Sequence, residues 1–268
     1  MENTFGFIGT GNMGGALAAA AVKKMDQDAV FLANRTPEKA EALASRLGCR
    51  VRDNLWIAAN CGYIFLGVKP QMMAAVLAQL APVLAQRQDR FVLVSMAAGL
   101  EIARLRQLAG GAYPVIRIMP NTPVAVGSGV ILYDASENVT QAELALFCEN
   151  MAAAGMLDPL PEKLMDAGSA VAGCGPAFAA MFMEALADGG VACGLPRAKA
   201  MEYAAQMLLG TAQLALQTGQ HPGQLKDAVC SPGGATIAGV RALEQGAFRA
   251  SATEAVVAAY ERTLEMGK

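Results

Sequence analysis

The chain has a single histidine, His221, which stands before Pro222-Gly223 in what reads as a loop after a helix. No histidine–carboxylate pair is evident, and neither a Ser/His/Asp triad nor a metal-ligand spacing can be assembled. The six cysteines (Cys49, Cys61, Cys148, Cys174, Cys193, Cys230) form no Cys-x-x-Cys pair. Scattered thiols of this kind suit a reducing cytosol, most of them as small buried residues. Charge is scarce as well: 16% of residues are charged against 54% hydrophobic, with a formal net charge of −2. There is no basic block and no basic–aromatic stripe, which excludes nucleic acid as an expected partner. The first strand begins within a few residues of Met1, so no room is expected for a targeting segment and the cytoplasm is the expected compartment. The longest uncharged apolar stretch, Ala167 to Met183, carries glycines and Pro176 and reads as a buried helix rather than a bilayer span, so no membrane is expected. No lysine lies between Lys163 and Lys199, so the long central helix of the second half offers no cationic acid or base.

What is present begins at Phe5. A short apolar strand runs into Gly9-Thr10-Gly11-Asn12-Met13-Gly14, a G-x-G-x-x-G spacing followed by an alanine-rich helix. The first glycine permits the tight turn, the second leaves room for a dinucleotide pyrophosphate, and the third lets helix and strand pack closely. The helix N-terminus then presents free N–H groups to the anion. After the second strand, Ala29 to Ala33, stands Asn34-Arg35-Thr36, with no acid where an NAD site would have one. A carboxylate there would repel a 2′-phosphate, whereas Arg35 pairs with one and Asn34 donates to it. The expected cofactor is therefore NADP(H), with NAD(H) as a weaker alternative.

At 268 residues the chain is long enough for two modest domains. Up to about residue 160, apolar strands at Tyr63–Val68, Phe91–Val94 and Val115–Met119 alternate with helices. This pattern predicts an α/β, doubly wound, mostly parallel sheet covered on both faces. Gly129–Tyr133 is expected to add a strand near the edge. Thr140-Gln141-Ala142-Glu143 is a capping box opening a helix that ends near Gly155. From 161 to 268 no strand is expected. Helices are read over roughly Glu162–Gly190, Pro196–Gln217 and Ser251–Glu265, the last behind a second capping box, Ser251-Ala252-Thr253-Glu254. The helix from Pro196 is apolar nearly all round, so these helices are expected to interlock with those of a second subunit.

In doubly wound sheets, ligands bind at the carboxyl ends of the strands. Here those ends carry the glycine loop, Asn34-Arg35, Val68-Lys69-Pro70, Ser95-Met96-Ala97-Ala98-Gly99 and Met119-Pro120-Asn121-Thr122-Pro123. The small residues around Ala97 and Asn121 suit close approach of a flat nicotinamide. Lys69 is either cofactor-linked or a helix-start residue, and Asn54 either reaches the adenosine ribose or caps its helix. In the second half, Ser231-Pro232-Gly233-Gly234-Ala235-Thr236 is a glycine turn opening onto a helix, and its N–H groups form an anion nest for a carboxylate or phosphate. Carbonyl reduction calls for a strong proton donor near the oxygen, whereas a protonated imine needs only a hydride and placement. The poverty of acid–base residues tilts the reading toward C=N reduction.

With these motifs in view, the chain resembles the Δ1-pyrroline-5-carboxylate reductases over essentially its whole length. The marks are FIGTGNMG, the VKP at Val68–Pro70, SMAAG at Ser95–Gly99, MPNTP at Met119–Pro123, GCGPAF at Gly173–Phe178 and EALADGGVACGLPR at Glu184–Arg197. The most specific runs from His221 to Arg249, HPGQLKDAVCSPGGATIAGVRALEQGAFR. The resemblance implies an NADPH-dependent enzyme reducing pyrroline-5-carboxylate to L-proline, the last step of proline synthesis. It also implies a Rossmann domain followed by an all-helical dimerisation domain, homodimers that often build into rings, and active sites between the cofactor domain and helices of both subunits. Carried over by position, Ser231, Gly233, Gly234, Ala235 and Thr236 hold the substrate carboxylate, and Thr236 lies beside the ring nitrogen. Glu162 matches a position near the substrate ring, or is an acid at a helix N-terminus favoured by the dipole. Ala228 departs from relatives that have asparagine there, so any cofactor contact made by that side chain is absent. The β-hydroxyacid dehydrogenases share the glycine loop and Asn-Arg-Thr, but the catalytic lysine of their first long helix has no counterpart at Gly175–Ala180.

Overall fold

The apolar runs of the first half become strands of one eight-stranded sheet in a computed structural model, which describes residues 3–266. Strands β1 (Phe5–Ile8), β2 (Val30–Ala33), β3 (Arg50–Val51), β4 (Tyr63–Leu66), β5 (Val92–Ser95), β6 (Val115–Pro120), β7 (Gly129–Ala135) and β8 (Gly155–Pro159) lie in the order β3-β2-β1-β4-β5-β6-β7-β8. From β3 to β6 all pairs are parallel; β7 runs antiparallel to β6, and β8 is parallel to β7.

Helices α1 (Asn12–Ala21), α2 (Pro37–Leu47), α3 (Asn54–Asn60), α4 (Pro70–Gln86), α5 (Ile102–Ala109) and α6 (Gln141–Met151) connect the strands. Side chains alternate between faces because the strand period is two. Phe5, Phe7, Tyr63, Phe65, Val92, Val94, Ile116 and Ile118 join one core with residues of α1 and α2. Ile8, Ile64, Leu66, Leu93 and Val115 join the other, with residues of α3, α4 and α5. Burial on both faces is why these strands read as unbroken apolar runs. The first core holds a stack of aromatic rings, Phe7 on Phe65 at 4.2 Å, and the Tyr63 hydroxyl donates to the Glu143 carbonyl at 2.7 Å.

The expected capping box at Thr140 is present: Thr140 Oγ1 accepts from Glu143 N and Glu143 Oε2 accepts from Thr140 N. Several other expectations need correction. Asn54 does not cap α3; Asp53 does, its carboxylate accepting from Trp56 N at 2.7 Å. Strand β7 lies near the edge as expected, but strand β8, which forms the edge itself, was not expected. Ser251 opens no helix, because α12 (Phe248–Met266) has already begun at Phe248 after a turn through Ala247 at φ 55°.

The long helix expected from Glu162 is two helices, α7 (Glu162–Ala172) and α8 (Gly175–Ala192), divided at Gly173-Cys174. They are followed by α9 (Arg197–Thr218), α10 (Pro222–Ala228), α11 (Ala235–Gln245) and α12. The chain forms two compact units, divided at Cys174/Gly175 and again at Ala258/Ala259. Helix α7 falls with the sheet because its Met165 packs on Met119 of β6 and Leu132 of β7. In the helical unit, Gly175–Ala258, α8 and α9 pack together through the Gly194-Leu195-Pro196 turn. The stretch from Glu162 to Ala192 is long and apolar enough to cross a membrane. Contrary to the expectation of a buried helix, only 11% of its most apolar window is buried within this single chain. Glu184 and Asp188 lie on α8, and Gly173-Cys174 interrupts the stretch.

Candidate active site

The strand order reverses at β1, between β2 and β4, and the glycine loop leaves the carboxyl end of that strand. Gly9 has φ 97°, and a Cβ there would stand 2.6 Å from the Gly67 carbonyl oxygen after β4. A Cβ on Gly14 would stand 2.2 Å from the Gly9 oxygen, so the third glycine is required for the close packing of α1 on the loop. Gly11 differs from both: nothing lies within 4 Å of where its Cβ would be. Open space there, at the N-cap of α1, is what a bound pyrophosphate requires. Asn12, Met13 and Gly14 begin the helix, and among the described residues their N–H groups have no acceptor. Thr10 is buried, yet its hydroxyl has no hydrogen-bond partner among the described residues. A buried orphan hydroxyl beside open space and three free N–H groups fits a phosphate-bearing cofactor.

Two clefts lie in this unit, one of them at the loop. One, of about 870 Å³, is lined by Thr10, Gly11 and Asn12 together with Lys23, Lys39 and Arg46. The other, of about 440 Å³, brings Asn34 and Asn54 together, with Pro37 and Arg52. Arg52 was not foreseen; its guanidinium lies 5.0 Å over the Trp56 ring and donates to the Val51 carbonyl. Arg35 is exposed and does not line either cleft.

Farther along the sheet, Val68 follows Gly67, Lys69 is the exposed N-cap of α4, and Pro70 fills the first turn of that helix. Ala97 is buried just after β5, its N–H donating to Ser95 Oγ at 3.3 Å. The Asn121 side chain is committed to the fold: Oδ1 accepts from Val130 N at 2.8 Å, and Nδ2 donates to the Ala172 carbonyl at 2.9 Å. Glu162 is likewise engaged. Its Oε1 accepts from Ile102 N at 2.8 Å and from Arg117 Nη1 at 3.1 Å, and its own N–H donates to Asp134 Oδ2 at 2.5 Å. Arg117, buried on β6, escaped the sequence reading. The signal was there, one charge inside the apolar run Val115–Met119.

In the helical unit, Gly233 has φ 70° and the Gly234 N–H donates to the Ser231 carbonyl, closing the turn before α11. Gly234 is the N-cap, and Ala235, Thr236 and Ile237 have N–H groups without backbone acceptors among the described residues. All three residues are exposed, so the nest is open to a ligand. His221 is not a free loop residue: it caps α10, its Nδ1 accepting from Gly223 N at 3.1 Å.

Residues 162–266 match the family model described as pyrroline-5-carboxylate reductase dimerisation, and residues 4–99 match NADP oxidoreductase coenzyme F420-dependent. The sequence is 41% identical to a pyrroline-5-carboxylate reductase of Synechocystis and 36% identical to that of Escherichia coli, each over the full length of both chains. Among solved structures it is similar to the Plasmodium falciparum pyrroline carboxylate reductase with NADP bound, at a TM-score of 0.87 and 30% identity, covering 99% of this chain and 98% of that one. It is similar to the Coxiella burnetii pyrroline-5-carboxylate reductase at a TM-score of 0.89, with the same identity and coverage. The match that begins at Glu162 lies beside the boundary read from the sequence at residue 160, whereas compactness divides the chain at Cys174.

Proposed function

This chain belongs to the pyrroline-5-carboxylate reductase family, and on that premise we propose that it reduces the C=N bond of Δ1-pyrroline-5-carboxylate to L-proline with NAD(P)H. The observation that carries this reading is full-length similarity to such reductases in a chain whose phosphate loop keeps every feature a dinucleotide needs. NADPH, when bound, supplies the hydride.

The chain's own part is placement. Gly9 to Gly14 hold the pyrophosphate on the free N–H groups of α1, and Thr10 offers its unpaired hydroxyl. Asn34, Arg35 and Asn54 are assigned to the adenosine end; Arg52 lines the cleft with Asn34 and Asn54, and Arg35 stands exposed beside Asn34 in the chain. Because no acid stands at the ribose-reading position, a 2′-phosphate meets positive charge, which favours NADP(H) over NAD(H). Val68, Lys69, Pro70, Ala97 and the backbone at Asn121 are assigned to the nicotinamide half. Ser231, Gly233, Gly234 and Ala235 are assigned to the substrate carboxylate, held on N–H groups of the α11 turn. The Thr236 hydroxyl, without a hydrogen-bond partner among the described residues, is assigned to the ring nitrogen and its proton. Fixing two reactants in near-attack geometry supplies about 7–11 kcal/mol of a barrier, enough to carry much of this reaction without a strong side-chain acid.

The match to a dimerisation domain supports a homodimer formed through the helices; a ring of dimers as the larger assembly and the cytoplasm as the setting belong to the same proposal and rest on the family resemblance alone. The decisive assay is oxidation of NADPH on adding pyrroline-5-carboxylate, with proline identified as product. A chain that binds NADPH but turns over no pyrroline-5-carboxylate would overturn the assignment.

A further inference from the structure

Arg117 is the largest of the fully buried side chains, and its burial needs a reason. A guanidinium 1% exposed is costly unless every donor is met. Here Nη1 pairs with Glu162 at 3.1 Å and Nη2 with Asp166 Oδ1 at 3.0 Å, while Nε has no acceptor. Replacing a whole buried ion-pair network with well-packed apolar side chains is often neutral or stabilising, although removing one member alone is costly, so stability alone does not account for the triad.

Its contacts suggest another role. Glu162 and Asp166 are four apart on one face of α7, so a single arginine fixes that face against β6. The Glu162 oxygen that Arg117 holds also accepts from Ile102 N, the first N–H of α5. Glu101, the N-cap of α5, makes no side-chain cap of its own, so Glu162 caps that helix from 60 residues away. The far end of α7 is held too, by Asn121 Nδ2 on the Ala172 carbonyl. Between Ser95 and Ile102 runs the loop that contains Ala97 and turns at Gly99, φ 71°. It is tied at one end by Ala97 N to Ser95 Oγ and at the other by Ile102 N to Glu162.

We propose that Arg117 is a positioning residue for hydride transfer: through Glu162 it fixes the loop from Met96 to Glu101, and so the surface that Ala97 presents to the nicotinamide. The proposal rests on the assignment of Ala97 to the nicotinamide half. Arg117 touches neither reactant. Without it, Glu162, about a quarter exposed, is free to turn toward water and release the α5 N-terminus.

The test uses the full-length enzyme with Arg117→Met, Glu162→Ala and Glu162→Gln. Glutamine keeps an oxygen for Ile102 N–H and for Arg117, whereas alanine keeps none. Amide hydrogen exchange over 96–102, measured without cofactor, is expected to quicken by about tenfold or more in Arg117→Met and Glu162→Ala as the local opening becomes easier. Displacement of the loop by about 1 Å is expected to lower kcat by about 10- to 100-fold. The NADPH Kd should stay close to the parent value, since the glycine loop is untouched, and the isotope effect with NADPH deuterated at the transferred position should grow. Glu162→Gln should keep the amide exchange over 96–102 and the NADPH Kd near the parent values. Unchanged exchange in Glu162→Ala, or exchange in Glu162→Gln as fast as in Glu162→Ala, would overturn the proposal. Should Arg117→Met fail to fold, the two Glu162 variants decide it alone. A parent chain inactive toward pyrroline-5-carboxylate would instead overturn the substrate assignment, a result that amide exchange does not share.

Discussion

Arg35 is exposed and enters no ion pair among the described residues, so its charge is available to a ligand. Arg35→Asp is expected to raise the KM for NADPH by about tenfold or more, through loss of a charge-assisted contact and a new repulsion, while that for NADH changes little. Equal responses to the two cofactors would remove Arg35 from the site. The glycines make a second contrast. Gly14→Ala forces a Cβ into the Gly9 carbonyl and is expected to cost about 1–3 kcal/mol, read as a lowered Tm. Gly11→Ala meets nothing in the fold, and its backbone is extended, so the Tm should hold while NADPH binding weakens. Thr236→Ala should lower turnover far more than it disturbs NADPH binding; unchanged turnover would remove Thr236 from the mechanism. The glycine loop was legible in the sequence because each of its glycines acts on neighbours that the motif itself specifies. Arg117 was not, because Glu162 and Asp166 lie 45 and 49 residues away and only the fold brings them in.

Local motifs specify elements only when the flanking chain agrees. Thr140 and Ser251 both begin a Ser/Thr-x-x-Glu pattern, yet only Thr140 caps a helix. Thr140 follows a break after β7, whereas Ser251 follows Phe248, where α12 has already started. Strand β8 was missed for a related reason: five residues with a glycine at one end and a proline at the other, half-exposed at an edge, carry no alternating or continuous apolar signal. The capping box at α6 does more than end a helix. Glu143 also receives Arg90 at 2.7 and 3.0 Å, and Arg90 holds its carboxyl below the ordinary value of 4.5. A carboxyl lowered in the folded state contributes fully above the unfolded value and ceases to contribute as pH falls through the lowered one. Stability should therefore decline below about pH 4.5 partly through this group, and Glu143→Gln should flatten that limb of a Tm–pH profile. At neutral pH the same substitution should cost about 1–2 kcal/mol, kept small because Arg90 is partly solvated. A pH profile parallel to that of the parent would show that the pair contributes nothing.

The molecule as a whole is divided in how it buries its apolar residues. In the sheet unit, the strand residues Phe5, Phe7, Ile64, Phe65 and Val92 are at most 1% exposed. In the helical unit the large apolar residues point outward: Met181 is 69% exposed, Tyr203 55%, Leu209 50%, Leu214 49% and Leu216 83%. On α8 only Ala187 is buried, and on α9 only Ala200 and Ala204. Such a surface is large for a monomer and marks an interaction site. The match of this segment to a dimerisation family supports a homo-oligomer, and on the proposed homodimer the occupant is a second copy of the chain. On that proposal its helices have the composition of core helices because a partner completes their core. The same physics makes a second subunit legible in the sequence, where the helix after Pro196 is apolar on nearly every side. Folding of this unit is then linked to association, and its stability must depend on protein concentration. Thermal melts at increasing concentration should move to higher Tm, and light scattering at micromolar protein should give at least twice the monomer mass. A monomer by scattering, with a melt indifferent to concentration, would mean that these helices stand in water uncovered, and the homodimer would have to be abandoned.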